Sequence, residues 1–115
     1  MENQIKLNDE RIKLLDKFKQ VLPDLMTCQQ DVLDVVYKDG ALSSKFKRLI
    51  SLAIALRVGC INCILSQTSR AMEAGATTEE ILETLSVEVA MSGNTGVAES
   101  LRVIKLLDEL GKLPA

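Results

Sequence analysis

Histidine is absent from this chain of 115 residues, and so is tryptophan. Without an imidazole there is no Ser-His-Asp or Cys-His nucleophilic scheme, no His-ligated metal and no His-ligated haem. Chemistry here must run on thiols, carboxylates, amines or the single tyrosine, Tyr37. Aromatics are scarce, with Phe18, Phe46 and Tyr37 as the whole set. An excess of positive charge is missing too: 14 basic residues against 16 acidic ones give a formal net charge of -2. No basic stripe invites nucleic acid, and no Lys/Arg block invites an anionic membrane. Long apolar runs are lacking. The strongest, Leu49 to Leu56, is flanked by Lys47, Arg48 and Arg57 and is far short of the roughly 18 to 20 residues a membrane helix needs. The opening Met1-Glu2-Asn3-Gln4 is polar and lacks a signal pattern. These absences lead us to expect a cytoplasmic, soluble chain with one domain spanning residues 1–115.

What is present is aliphatic. The chain is 47% hydrophobic, with a mean hydropathy of +0.14. A domain this small buries only about two-thirds of its surface. So many Leu, Ile, Val and Ala residues imply apolar surface buried against further copies, and a homo-oligomer is expected.

The periodicity is helical nearly throughout, and no segment alternates with period two. The fold class expected is all-α, a bundle of about six helices. The first runs from about Asn8, a plausible N-cap, to Val21, with Ile12, Leu15, Phe18, Val21 and Leu22 as its apolar stripe. Pro23 opens the second, which carries Leu25, Met26, Leu33, Val36 and Tyr37 and stops at Asp39-Gly40. Ser43 or Ser44 caps a third helix, apolar nearly all round from Leu49 to Leu56, a pattern that belongs mid-bundle. The fourth starts near Cys60 and ends at Ala74-Gly75. Thr77-Thr78-Glu79-Glu80 reads as a capping box for the fifth, which runs to about Met91. Ser92-Gly93-Asn94-Thr95-Gly96 reads as a flexible break. The last helix carries Val97, Leu101, Ile104, Leu107 and Leu110 as a stripe and ends at Gly111.

Cys60-Ile61-Asn62-Cys63 is the stretch that carries chemistry. Two thiols three residues apart at a helix start can form a reversible disulfide, and the helix N-terminus favours the thiolate. A secreted disulfide scaffold does not fit, because three cysteines are odd in number and too few. Zinc wants four ligands, whereas the chain offers Cys60, Cys63, the distant Cys28 and no histidine. A thioredoxin fold would need strands. Inert buried thiols are the bland alternative. A redox-active dithiol on an all-α scaffold is the reading we favour, with no metal and no cofactor.

Three segments taken together resemble a known family. They are Lys47-Arg48-Leu49-Ile50-Ser51-Leu52-Ala53-Ile54-Ala55, Gly59-Cys60-Ile61-Asn62-Cys63-Ile64, and Ala71-Met72-Glu73-Ala74-Gly75-Ala76-Thr77-Thr78-Glu79-Glu80-Ile81. They are similar to the carboxymuconolactone decarboxylase family, in its branch close to the alkylhydroperoxidase D proteins. Tyr37-Lys38-Asp39-Gly40-Ala41-Leu42 and Ser92-Gly93-Asn94-Thr95-Gly96 also look like loops of that family. The resemblance implies an all-α homo-trimer or homo-hexamer. It also implies a dithiol that reduces hydroperoxides and is itself reduced by a thiol or dithiol electron donor. In that branch a glutamate twelve residues before the first cysteine and a histidine four after the second help move the proton. Here Arg48 and Gln67 hold those positions. The thiols match and the proton relay does not.

Three further residues complete the expectations. Glu88, among Leu85, Val87, Val89, Ala90 and Met91, is either a solvated charge on the outer face or a partner for Arg48 or Arg57. Cys28 is expected to pack as a helix residue. Tyr37 is expected in the core with its hydroxyl at the edge. The function classes kept open are a thiol-disulfide enzyme, a non-catalytic oligomer that binds a ligand or partner, and, last, a lactone decarboxylase. Which cysteine attacks is left open.

Overall fold

The computed structural model describes residues 1–114. Six helices and no strand occur among the described residues: α1 (Gln4–Val21), α2 (Pro23–Val36), α3 (Ser44–Val58), α4 (Ile61–Glu73), α5 (Thr78–Ser92) and α6 (Asn94–Glu109). No helix is long and apolar enough to cross a membrane among the described residues.

The third helix is the hub, packing against α4, α5 and α6. Its Leu52 and Leu56 are fully buried with Ile64 of α4, Ile81 of α5, and Val103 and Leu107 of α6. The all-round apolar run is nonetheless two-faced in this chain, because Ile50, Ile54 and Val58 are exposed. The N-termini of α3 and α5 are joined by the Lys45 Nζ–Glu80 Oε2 ion pair at 2.8 Å. The Thr77–Glu80 capping box that starts α5 is present in both directions.

Helix boundaries differ from expectation where a side chain overrides a local preference. Asn3, not Asn8, caps α1, its side chain accepting from the Lys6 amide at 2.9 Å. Asn8 lies inside the helix and donates to Ser69 Oγ of α4 at 3.1 Å. The second helix ends at Val36, before Asp39-Gly40, because Lys47 Nζ takes the carbonyls of Val36 and Lys38. Ser43 caps α3. The expected break at residues 92–96 shrinks to one residue: Gly93 turns with φ 64°, and Asn94 to Gly96 are already helical.

The buried stripe of α6 is also rotated by one position. Gly96, Ser100, Val103 and Leu107 face inward, while Val97 and Leu101 are exposed. Small residues at 96 and 100 let α6 approach α5 closely. A Cβ built on Gly96 would lie 2.5 Å from Glu88 Oε2 and 3.0 Å from Val89 Cα.

The first two helices stand apart from this core. The one buried residue of α1 is polar: Gln4 Oε1 accepts from Arg102 Nη1 at 2.9 Å, and Glu109 Oε1 accepts from the Gln4 amide at 2.7 Å and the Ile5 amide at 3.1 Å. A carboxylate at a helix N-terminus is favoured by the helix dipole. The second helix buries nothing, and the apolar stripe expected on α1 is largely exposed, including Ile12, Phe18 and Val21. The radius of gyration of 14.5 Å exceeds the roughly 13 Å of a compact domain this long. Cys28, expected to be packed, is exposed on α2 for the same reason.

The contact at Gly96 makes a direct prediction. Gly96→Ala places a methyl against a carboxylate and a backbone carbon, and overpacking of this kind costs about 1 to 3 kcal/mol. Chemical denaturation should show a lower midpoint with an unchanged slope. An unchanged midpoint would mean that the α5–α6 approach is looser than described.

Candidate functional site

Gly59 sets the thiols in place. It ends α3 in the left-handed region, φ 78° and ψ 26°, and its amide donates to Ala55 O and Leu56 O. The chain then turns to extended geometry at Cys60, φ -85° and ψ 107°, which is the N-cap of α4. In that role the Cys60 sulfur accepts the amide of Cys63 at 3.2 Å, and its carbonyl accepts the amide of Ile64 at 2.8 Å. The spacing of the motif is thus the spacing of a helix cap: an N-cap side chain lies over the residue three positions on. Capping sets the two Cα atoms 5.2 Å apart, inside the range a disulfide spans. Cys60 and Cys63 are paired in a disulfide, with Cys60 half-buried and Cys63 exposed.

One turn along α4 from Cys63 stands Gln67. Its Oε1 accepts from Arg48 Nη1 of α3 at 3.2 Å. The Arg48 guanidinium lies over the Tyr37 ring, 3.4 Å from its centroid, a cation–π arrangement. Tyr37, half-buried, shares a 2.5 Å hydrogen bond between its hydroxyl and Ser51 Oγ. Ser51 Oγ also donates to Lys47 O at 3.1 Å, which leaves its oxygen to accept the tyrosine proton. Burial pushes the Arg48 pKa down; Tyr37 counters this, Arg70 adds to it and Glu73 opposes it. The positions read as a substituted relay therefore meet below the thiols, and they hold each other.

Glu88 lies elsewhere. It is buried, not on the outer face, and its Oε1 accepts from Ser92 Oγ while Oε2 has no hydrogen-bond partner. It makes no salt bridge with Arg48 or Arg57 among the described residues. The carboxylate that does approach the thiol turn is Glu99 of α6: a Cβ on Gly59 would meet its Oε1 at 3.5 Å. Sequence reasoning passed over Glu99, since nothing in its neighbourhood along the chain distinguishes it. It also passed over Arg70, whose spacing of four and then three from Cys63 through Gln67 was legible. Among the described residues no cluster of three or more His, Cys, Asp or Glu side chains is arranged to hold a metal.

Comparison with known proteins bears on the fold and the family. The sequence pattern of the carboxymuconolactone decarboxylase family matches residues 23–106. An uncharacterized protein of Cupriavidus necator is 33% identical over 91 residues, 79% of this chain and 80% of that one. An uncharacterized protein encoded in a cox locus of Paracoccus denitrificans is 36% identical over 76 residues, 66% of this chain and 68% of that one. The crystal structure of an apo carboxymuconolactone decarboxylase family protein from Legionella pneumophila superposes with a TM-score of 0.86 at 30% identity. That superposition covers 97% of this chain and 100% of the other. With its six-helix all-α fold, its capped cysteine pair and a match across most of its length, the chain belongs to the carboxymuconolactone decarboxylase family.

Proposed function

We propose that this protein is a thiol-disulfide oxidoreductase of the alkylhydroperoxidase type, working as a homo-oligomer. Its Cys60–Cys63 pair reduces a hydroperoxide and is returned to the dithiol by an external thiol or dithiol donor. The observation that carries this reading is the cap: the Cys60 sulfur accepts an amide at the start of α4, and Cys63 is exposed beside it. A helix N-terminus stabilises a thiolate, so Cys60 suits the leaving group and Cys63 the attacking one.

The Cys63 thiolate attacks the distal oxygen of the hydroperoxide, the O–O bond breaks, and an alcohol leaves after taking up a proton. The resulting Cys63 sulfenic acid is attacked by the Cys60 thiolate, the S–O bond breaks, hydroxide takes up a proton from solvent to leave as water, and the disulfide forms. A dithiol donor then supplies two electrons and two protons. Neither Arg48 nor Gln67 can give the alkoxide its proton, so water must. We therefore infer slow peroxide turnover.

The second reading is a non-catalytic binding protein. The hydrogen bond from Arg48 to Gln67 supports it, because it ties the two relay positions to each other through side chains that do not exchange a proton. Lactone decarboxylation has less support, since the chain has no histidine and its cysteine pair matches the redox branch.

Titration of the pair against a thiol redox buffer should give a potential between about -200 and -300 mV, and Cys60→Ser and Cys63→Ser should each abolish peroxide turnover. Turnover that survives in both single variants would remove the dithiol mechanism.

The exposed apolar side chains of α1 and α2, such as Phe18, Leu25, Val32 and Val35, support assembly as a trimer or hexamer of this chain. Light scattering should give a mass several times 12.6 kDa, and a monomer at micromolar concentration would defeat the proposal.

Restoring the relay tests the slow step. Arg48→Glu with Gln67→His should raise the rate with an uncharged hydroperoxide, because general acid-base help is typically worth roughly 10²- to 10⁴-fold. Either change alone should do less. A folded double variant no faster than the parent would make the binding protein the better reading.

A further inference from the structure

Positive charge gathers on the face of α4 that carries Cys63. Along that helix Cys63, Gln67 and Arg70 stand at i, i+4 and i+7, which is one stripe. The third helix brings Arg48 to it through the 3.2 Å bond to Gln67. The first helix brings Arg11: Asn8 donates to Ser69 Oγ at 3.1 Å and accepts from Arg11 Nε at 2.9 Å, which ties Arg11 beside Arg70. One carboxylate is present, Glu73, and Arg70 Nη1 holds it at 3.1 Å. Arg48 and Arg11 make no salt bridge among the described residues.

Both of these arginines are half-buried. Burial lowers the pKa of each and Arg70 pushes in the same direction, while Glu73 opposes both and Tyr37 opposes the shift of Arg48; a guanidinium stays charged at neutral pH. Three guanidinium groups share one nearby carboxylate, Glu73, which Arg70 already engages, and cations held partly out of water in such excess favour an incoming anion. Arg48 is also preorganised for one, being stacked on Tyr37 with only Nη1 engaged by Gln67.

We propose that Arg48, backed by Arg11 and Arg70, binds the carboxylate of a small anionic disulfide and so presents its S–S bond to Cys63. One helical turn, about 5.4 Å, separates the Gln67 level from the Cys63 level. Two or three methylenes between carboxylate and sulfur cover that distance. The proposal rests on the redox reading and names its substrate class. In the step, the Cys63 thiolate attacks one sulfur of the bound disulfide, and the first thiolate leaves. The Cys60 thiolate then attacks the Cys63 sulfur of the mixed disulfide, and the second leaves. The dithiol becomes the disulfide, and one disulfide becomes two thiols after uptake of two protons.

The experiment uses three dialkyl disulfides that differ in charge: dithiodipropionate, hydroxyethyl disulfide and cystamine. Exchange with the fully reduced protein is followed for each and divided by its rate with dithiothreitol, which removes intrinsic reactivity. The dianion should react about tenfold faster than the neutral compound at low salt, and the dication more slowly. The advantage should shrink in high salt. Arg48→Gln should bring the ratio of dianion to neutral rate close to one, and Arg48→Lys should keep most of it. A parent ratio of one, or a ratio indifferent to Arg48→Gln, overturns the proposal. Binding is measured separately by titrating the oxidised protein, which cannot react, with dithiodipropionate. Amide chemical shifts around Cys63, Gln67 and Arg48 should move, and should not move in Arg48→Gln. Exchange without charge preference would sink the anion site and leave the redox reading standing. Binding without any exchange would do the reverse. Neither exchange nor binding would overturn both.

Discussion

The hydrogen bond from the Cys63 amide to the Cys60 sulfur organises the thiol site, and a left-handed glycine makes it available. Gly59 closes α3 and turns the chain so that Cys60 can cap α4. A side chain with a Cβ at that position would be strained by its φ of 78° and would press on Glu99. Because a cap reaches three residues forward, the spacing of the motif and the geometry of the helix start are one constraint. Cys60 acts as the structural half of the pair, and Cys63, exposed on the first turn, is the half that meets solvent.

That turn is held by the most apolar part of the molecule. Leu52 and Leu56 lie within the last two turns of α3, and Ile64 and Leu65 within the first two turns of α4, all fully buried or nearly so. Burial of such side chains contributes about 1.5 to 3 kcal/mol each, so the thiol turn sits on a rigid base. The periphery is held differently. The first helix is fastened to α6 by Gln4, Arg102 and Glu109, and to α4 by Asn8 and Ser69. Polar fastenings of this kind each contribute about 1 kcal/mol net. The α1–α2 pair is therefore the part of the fold whose position owes least to the core.

Much of this was legible in the sequence because it depends on local chemistry. The cysteine pair, the Thr77–Glu80 box, the Pro23 start and the glycine stops at Gly75 and Gly111 all act within four residues, and each appears where the pattern placed it, whereas the stop expected at Asp39-Gly40 came earlier, at Val36. What depended on distant partners was not legible. Asn8 has the composition of a cap, yet Ser69 and Arg11 engage it within the helix. Glu88 has the composition of a surface charge, yet the small residue at 96 opens a niche for it between α5 and α6. The α6 stripe was read one position too far along because Gly96 and Ser100 carry no hydrophobic weight, although their smallness makes them the contact face. Arg48 and Gln67 were visible as substitutions. Their mutual bond, and the Tyr37 ring beneath the guanidinium, needed three helical segments to be brought together.

The niche around Glu88 bears on how this sequence can change over time. The carboxylate fits only because position 96 lacks a side chain, and one of its oxygens has no hydrogen-bond partner. Neither residue can drift alone. A larger residue at 96 first requires a shorter one at 88, and a shorter one at 88 with glycine retained leaves an empty space that weakens packing. Both intermediates are less stable than either end, so the two positions form a pair that relatives should keep together or exchange together. The α5–α6 hairpin thus carries a packing constraint on change that is independent of the thiols.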